Sequence, residues 1–142
     1  DPSIPEVPGD RELLIQATMN IARNAVQVLL ENGRESDGCI TFRTRVQRRY
    51  TIGRKQHPLV ARLSIIDNGP GVTPEQQAHL FEPFFTTKEP GEGTGLGLAM
   101  VYSIIEDHSG HMDIISPADT VHNRGASFVI TLPRHLDSFM DA

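Results

Sequence analysis

The sequence predicts a two-layer α/β (α+β) sandwich, in which a mixed sheet of about five strands carries three helices on one face. Three observations lead there. Two segments, 11–31 and about 94–108, repeat apolar residues at three- and four-residue steps, the period of a helix packed through one stripe. Four others, 39–46, 59–66, 111–116 and 126–132, are rich in β-branched or alternating apolar residues, the pattern of strands. Helices and strands are interleaved along one chain, which suggests one core shared by a helical layer and a sheet.

Residues 1–10 contain Pro2, Pro5, Pro8 and Gly9 and read as an entry linker. From Ile15, the residues Met19, Ala22, Val26 and Leu29 form the expected buried stripe of the first helix, which Asn32-Gly33 closes. Cys39–Val46 and Leu59–Ile66 then predict two strands around a basic, irregular excursion, Gln47–Pro58, with Cys39 a small half-buried residue at the strand start. Thr73-Pro74-Glu75-Gln76 carries an N-cap, a proline at the first helical position and a capping-box glutamine, so a short helix should run to Leu80. Phe81–Gly93 reads as a loop, and a helix follows from Thr94 or Gly95 to about His108, ended by Ser109-Gly110. His111–Ser116 and Ala126–Leu132 supply the closing strands, and 134–142 is left as a C-terminal tail.

At 142 residues, with 38% hydrophobic and 22% charged residues, the chain suits one soluble domain and contains no apolar run of membrane-spanning length. A single cysteine, Cys39, excludes an internal disulfide and is usual for cytoplasmic proteins. A formal net charge of −5 disfavours nonspecific nucleic-acid binding, which needs a basic surface.

Three places carry possible chemistry. On the first helix Asn20, Asn24, Gln27 and Glu31 share one face, with Arg23 beside them. Asparagine is a poor mid-helix residue, so two of them one turn apart are odd choices for solubility alone, and a neutral amide oxygen suits Mg²⁺. The bland alternative is a solvated face. Asp67-Asn68-Gly69-Pro70-Gly71 ends an apolar strand, where a carboxylate could read an amino group and glycines admit close backbone approach; it is also a good tight turn. Finally, Gly91–Met100 is rich in glycine. It lacks the lysine that must follow a P-loop's glycines, and the dinucleotide fingerprint fails because Leu98 or Met100 stands where its last glycine belongs. What remains is a glycine-rich loop entering a helix, whose free N–H groups suit phosphate oxygens.

Taken together, "NIARNA" (20–25), "DNGPGV" (67–72), "LFEPFFTTK" (80–88) and "GTGLGLAM" (93–100) resemble the N, G1, F and G2 boxes of sensor histidine kinase catalytic domains, in order and spacing over residues 11–133. "DPSIPE", "RTR" and "LVARLSIIDNGPG" are similar to the nitrogen-regulation (NtrB-type) branch of that family. The resemblance implies the Bergerat ATP-binding fold and transfer of the ATP γ-phosphoryl to a histidine on a separate dimerisation domain. It implies that Asn24 ligates Mg²⁺, with Asn20 and Arg23 lining the phosphate pocket, and that Asp67 meets the adenine amine between Gly69 and Gly71. Phe81, Thr87 and Lys88 would belong to a mobile lid, with Lys88 and Asn24 the catalytic pair. Gly93, Thr94, Gly95, Leu96, Gly97 and Leu98 would form the lid's phosphate-contacting end, and Thr131 a water-mediated contact near adenine.

The implied partners are the chain's own phosphoacceptor domain, an NtrC-like response regulator and the PII signal protein. Related ATPases of the superfamily place an acidic residue where Asn20 stands, and an amide cannot act as a base, which argues for transfer to protein over hydrolysis. No histidine here is followed by Asp or Glu, as the family's acceptor is, so the expectation is a monomeric catalytic fragment of a dimeric kinase. His108-Ser109-Gly110-His111 lacks the carboxylate support of a metal site and reads as satisfied turn or surface chemistry. The basic residues Arg45, Arg48, Arg49, Arg54 and Lys55 read as a solvated edge or a docking surface.

Overall fold

Helix α1, Arg11–Glu31, starts where Asp10 caps it: the carboxylate accepts from the amides of Glu12 and Leu13 at 3.0 and 3.2 Å. It ends through Gly33, whose φ of +69° is the left-handed conformation that glycine adopts most readily. The computed structural model describes residues 1–4, 6–34, 36–80 and 97–134. Within them follow β1 (Ile40–Ile52), β2 (Lys55–Asp67), α2 (Pro74–His79), α3 (Gly97–Asp107), β3 (His111–Ile115) and β4 (Ser127–Pro133).

The strands form one four-stranded sheet in the order β1-β2-β4-β3, and every pairing is antiparallel. The two-layer class therefore stands, with four antiparallel strands in the described residues where about five in a mixed sheet are expected from the sequence. The last strand lies in the middle, paired to β2 across Val60–Ile66 and to β3 across His111–Ile115, which accounts for its nearly continuous burial.

The Gln47–Pro58 excursion is not irregular. β1 and β2 stay in register from Ile40↔Asp67 to Ile52↔Lys55, and close through the two-residue turn Gly53-Arg54, with Gly53 supplying a φ of +63°. Because β4 pairs only as far out as Val60, the outer half of this hairpin continues beyond the sheet as a two-stranded ribbon. Alternation is hard to read there because nearly every residue is polar.

α1 and α3 lie on one face of the sheet around Ile21, Ile65, Val101, Ile105, Phe128 and Ile130. α1 packs through Ala17, Ile21, Ala25 and Leu29, not through the larger stripe expected from the sequence. Of that stripe only Leu29 is buried, while Ile15 and Met19 are 52% and 45% exposed. Two apolar stripes share the helical period, and the one with alanines lets the helix approach the sheet closely. α2 is capped by Thr73 as predicted, with both capping-box hydrogen bonds made. Cys39 is exposed rather than half-buried, one residue before β1.

Candidate nucleotide site

Asp67 is the last residue of β2, and its half-buried carboxylate is held by backbone alone. Oδ1 accepts from the amides of Gly69 at 2.9 Å and Ala126 at 3.3 Å, whereas Oδ2 has no hydrogen-bond partner among the described residues. Burial pushes this carboxyl above the usual carboxylate range, opposed by those two amides. One oxygen thus fixes the orientation of the carboxylate.

The loop behind Asp67 is tied to the β3–β4 connection. Asp67 donates its amide to Ala126 O at 2.9 Å, and Gly125 donates to Gly69 O at 2.8 Å. The Ser116 hydroxyl accepts from Val72 N at 2.9 Å and donates to Gly125 O at 3.2 Å. Gly125, at φ +87°, lies against the Asp67 carbonyl, so a Cβ there would collide with backbone. Gly71, at φ +84°, leaves no room either: its Cβ would fall 2.7 Å from Ser116 Oγ. On the other side, a Cβ on Gly69 would sit 3.4 and 3.5 Å from Leu29 and Val28, so the loop rests on the C-terminal half of α1.

Val28 is one helical turn beyond Asn24, and Asn24 one turn beyond Asn20, a rise of about 6 Å each. Both asparagines are half-buried, and their amides make no hydrogen bond to the described residues; Arg23 is exposed. One further turn back, Gln16 Nε2 reaches Met100 Sδ at 3.2 Å, which sets the first turn of α3 against α1. The N–H groups of that turn lack intrahelical acceptors. Along α1, Asn20 and Asn24 thus lie between the turn that Gln16 sets against α3 and the turn on which the Asp67 loop rests.

Not all sequence-predicted residues meet there. Gly97 opens α3, but the Leu98 side chain is buried in the core, so only its backbone can serve a ligand. Thr131 stands opposite Arg62 and His111, five residues along β4 from Ala126. At about 3.3 Å per residue that is roughly 16 Å from the Asp67 end, too far for a single-water contact to a base held there. Phe81, Thr87, Lys88, Gly93, Thr94, Gly95 and Leu96 lie outside the described residues. The sequence reading missed Ser116, Gly125 and Ala126; the only signal was a glycine immediately before the last apolar strand.

The family profile described as "Histidine kinase-, DNA gyrase B-, and HSP90-like ATPase" matches residues 9–136. The chain belongs to that family. Among its histidine-kinase relatives, sensory histidine kinase/phosphatase NtrB of Vibrio alginolyticus is 41% identical over 134 residues, 94% of this chain and 35% of that protein. NtrB of Rhizobium meliloti is 36% identical over 137 residues, 94% and 33% of the two chains. The chain spans about a third of the length of these relatives. The mycobacterial sensor histidine kinase MprB superposes with a TM-score of 0.70 at 29% identity, covering 89% of this chain and 76% of that one. Full-length ShkA in complex with AMPPNP gives 0.65 at 28% identity, with 92% and 23% covered.

Proposed function

We propose that this chain is the ATP-binding catalytic domain of a bacterial, cytoplasmic, NtrB-like sensor histidine kinase in nitrogen regulation. The observation that carries the reading is the Asp67 carboxylate, with Oδ1 pinned by two backbone amides and Oδ2 open. An acceptor held this way selects a base with an exocyclic amine and repels one with a carbonyl at the same place. Among the described residues no group of three His, Cys, Asp or Glu could hold a metal ion, which fits a Mg²⁺ bound through one neutral amide, phosphates and water.

In this reading Asp67 orients adenine, with Gly69 and Gly71 keeping the loop free of side chains. Asn24 holds Mg²⁺ while Asn20 and Arg23 line the phosphates, and the N–H groups of Gly97 and Leu98 face phosphate oxygens. Lys88 and the residues up to Leu96 complete the site from the lid. ATP and Mg²⁺ supply the γ-phosphoryl group and its charge neutralisation, and the protein's part is positioning and exclusion of water. Asn20 cannot deprotonate water, which favours transfer to a histidine over free hydrolysis.

The acceptor histidine sits on a dimerisation domain joined through residues 1–10, and the phosphoryl passes on to an NtrC-like response regulator, with PII as the regulatory partner. Residues 11–133 are the catalytic unit, 134–142 its tail, and the isolated unit is a monomer. No helix among the described residues is long and apolar enough to cross a membrane, which is compatible with a cytoplasmic place. The test is to mix this chain with ATP, Mg²⁺ and the separately prepared helical domain of the same kinase. Phosphohistidine on that domain is expected; its absence despite measured ATP binding overturns the kinase reading, and steady phosphate release without acceptor makes the chain an ATPase.

A further inference from the structure

We infer that Ser116 is a positioning residue for adenine recognition: its hydroxyl locks the loop that aims the Asp67 carboxylate. The inference rests on the nucleotide reading above and deepens it by assigning base selectivity to a residue outside the four sequence boxes. The hydrogen bonds between the Asp67–Val72 loop and the β3–β4 connection form a closed path. Asp67 Oδ1 takes the Gly69 and Ala126 amides, Gly69 O takes the Gly125 amide, Gly125 O takes the Ser116 hydroxyl, and Ser116 Oγ takes the Val72 amide.

Apart from the Asp67 carboxylate, Ser116 provides the one side chain in this path. The hydroxyl bridges a donor and an acceptor on two different segments, a task that needs both a lone pair and a proton. Gly71 has no Cβ where the Ser116 Oγ passes, at 2.7 Å from the position a Cβ would take, and a φ of +84° holds its peptide in that arrangement. Removing the hydroxyl strands the part-buried Val72 N–H and cuts the loop's tie to Gly125 O, which keeps a bond only from Ala118 N at 3.1 Å. The stretch Gly69–Val72 is then held at its Gly69 end alone, which loosens the Gly69 amide on Asp67 Oδ1 and, with Ala126 as the remaining firm donor, widens the range of angles at which Oδ2 meets a base.

The experiment compares ADP with inosine diphosphate, which carries a carbonyl where adenine carries its amine, by calorimetric titration of this chain. Wild type should prefer ADP. Ser116→Ala should lower that preference by about 3- to 10-fold, the worth of one broken hydrogen bond with a stranded donor. The inosine nucleotide should change less than about twofold, and Ser116→Thr, which keeps the hydroxyl, should restore the wild-type ratio. An unchanged ADP-to-IDP ratio in Ser116→Ala, or equal loss in the Ala and Thr variants, overturns the positioning role even where the melting temperature falls. A wild-type chain that binds neither nucleotide overturns the nucleotide reading itself, so the two failures are told apart.

Discussion

Asp67 and Ala126, 59 residues apart, hold each other twice: the Asp67 amide donates to the Ala126 carbonyl at 2.9 Å, and the Ala126 amide donates to the Asp67 carboxylate at 3.3 Å. The end of one strand and the residue leading into another thus share a single rigid corner, and the side chain at that corner points its remaining oxygen outward. A half-buried carboxylate with only two amides for company is costly to ionise without a ligand.

That cost gives a pH signature. Burial raises the Asp67 pKa above its ordinary 3.8, so the folded state binds the proton more tightly than the unfolded chain. The contribution to stability is therefore fully present below about pH 3.8 and is lost as pH rises through the folded-state value. Asp67→Asn, which keeps an oxygen for the Gly69 and Ala126 amides and carries no charge, should leave the ligand-free melting temperature at pH 7 unchanged or higher. It should weaken ADP by at least about tenfold, and ADP affinity of the wild type should fall on acidification before pH 3.8 is reached. Thermal scans and titrations across pH 4–7 check both.

Asn24→Ala separates function from stability in a different way. The side chain is half-buried with no described hydrogen bond, and alanine is the better helix former by about 0.5 kcal/mol. The variant should melt at or slightly above the wild-type temperature while the Mg²⁺-dependent part of ATP affinity falls roughly 10- to 100-fold. Titration with and without Mg²⁺ measures it.

His108 ties the entering chain to α3. Asp10 N–H donates to Nε2 at 2.9 Å, which leaves the ring proton on Nδ1 to donate to Ile104 O at 2.7 Å. The ring is buried, and Gly9 packs so closely that a Cβ there would fall 2.5 Å from His108 Cδ2. His108→Ala opens a cavity and strands the Asp10 amide, so unfolding in urea should show a loss of about 2–4 kcal/mol. Glutamine should recover part of it.

Gly125→Ala tests the corner from its back. A methyl group there meets the Asp67 carbonyl, and φ of +87° strains any side chain. The expected loss is about 3 kcal/mol or more of stability. An unperturbed melting temperature would show that the corner yields.

Much of this was legible in the sequence where local chemistry and tertiary demand agree. Thr73 and Gln76 cap α2 because each side chain reaches an amide that the first turn leaves free, and the Asp67–Gly71 turn announces itself through two glycines, whereas the Asp10 cap of α1 was lost in a stretch read only as a linker. Where two answers satisfy the same periodicity, the sequence is silent: Ala17 and Ala25 beat Met19 and Val26 because close approach to the sheet rewards small residues. The ribbon beyond Gln47 was obscured because its covered face is made of Tyr50, Ile52, Lys55 and His57, so burial alternates there without an apolar–polar alternation in the sequence. Thr131 was misplaced along β4 because register depends on pairing partners, which no local pattern near Thr131 specifies. Ser116 and Gly125 were missed for the related reason that their partners on the Asp67–Val72 loop lie more than 40 residues away.

Among the described residues the last strand, β4, lies between two earlier ones, and this sets an order of events during synthesis. Until Ala126 and the residues of β4 have left the ribosome, β2 and β3 have no strand to join them, and the Asp67 carboxylate has neither its Ala126 donor nor the Gly125 support behind it. Closing a contact across 59 residues is slow compared with forming α1 or the β1–β2 hairpin. The nascent domain consequently lacks the Asp67–Ala126 corner while it is being made, and that corner closes only when β4 joins the sheet.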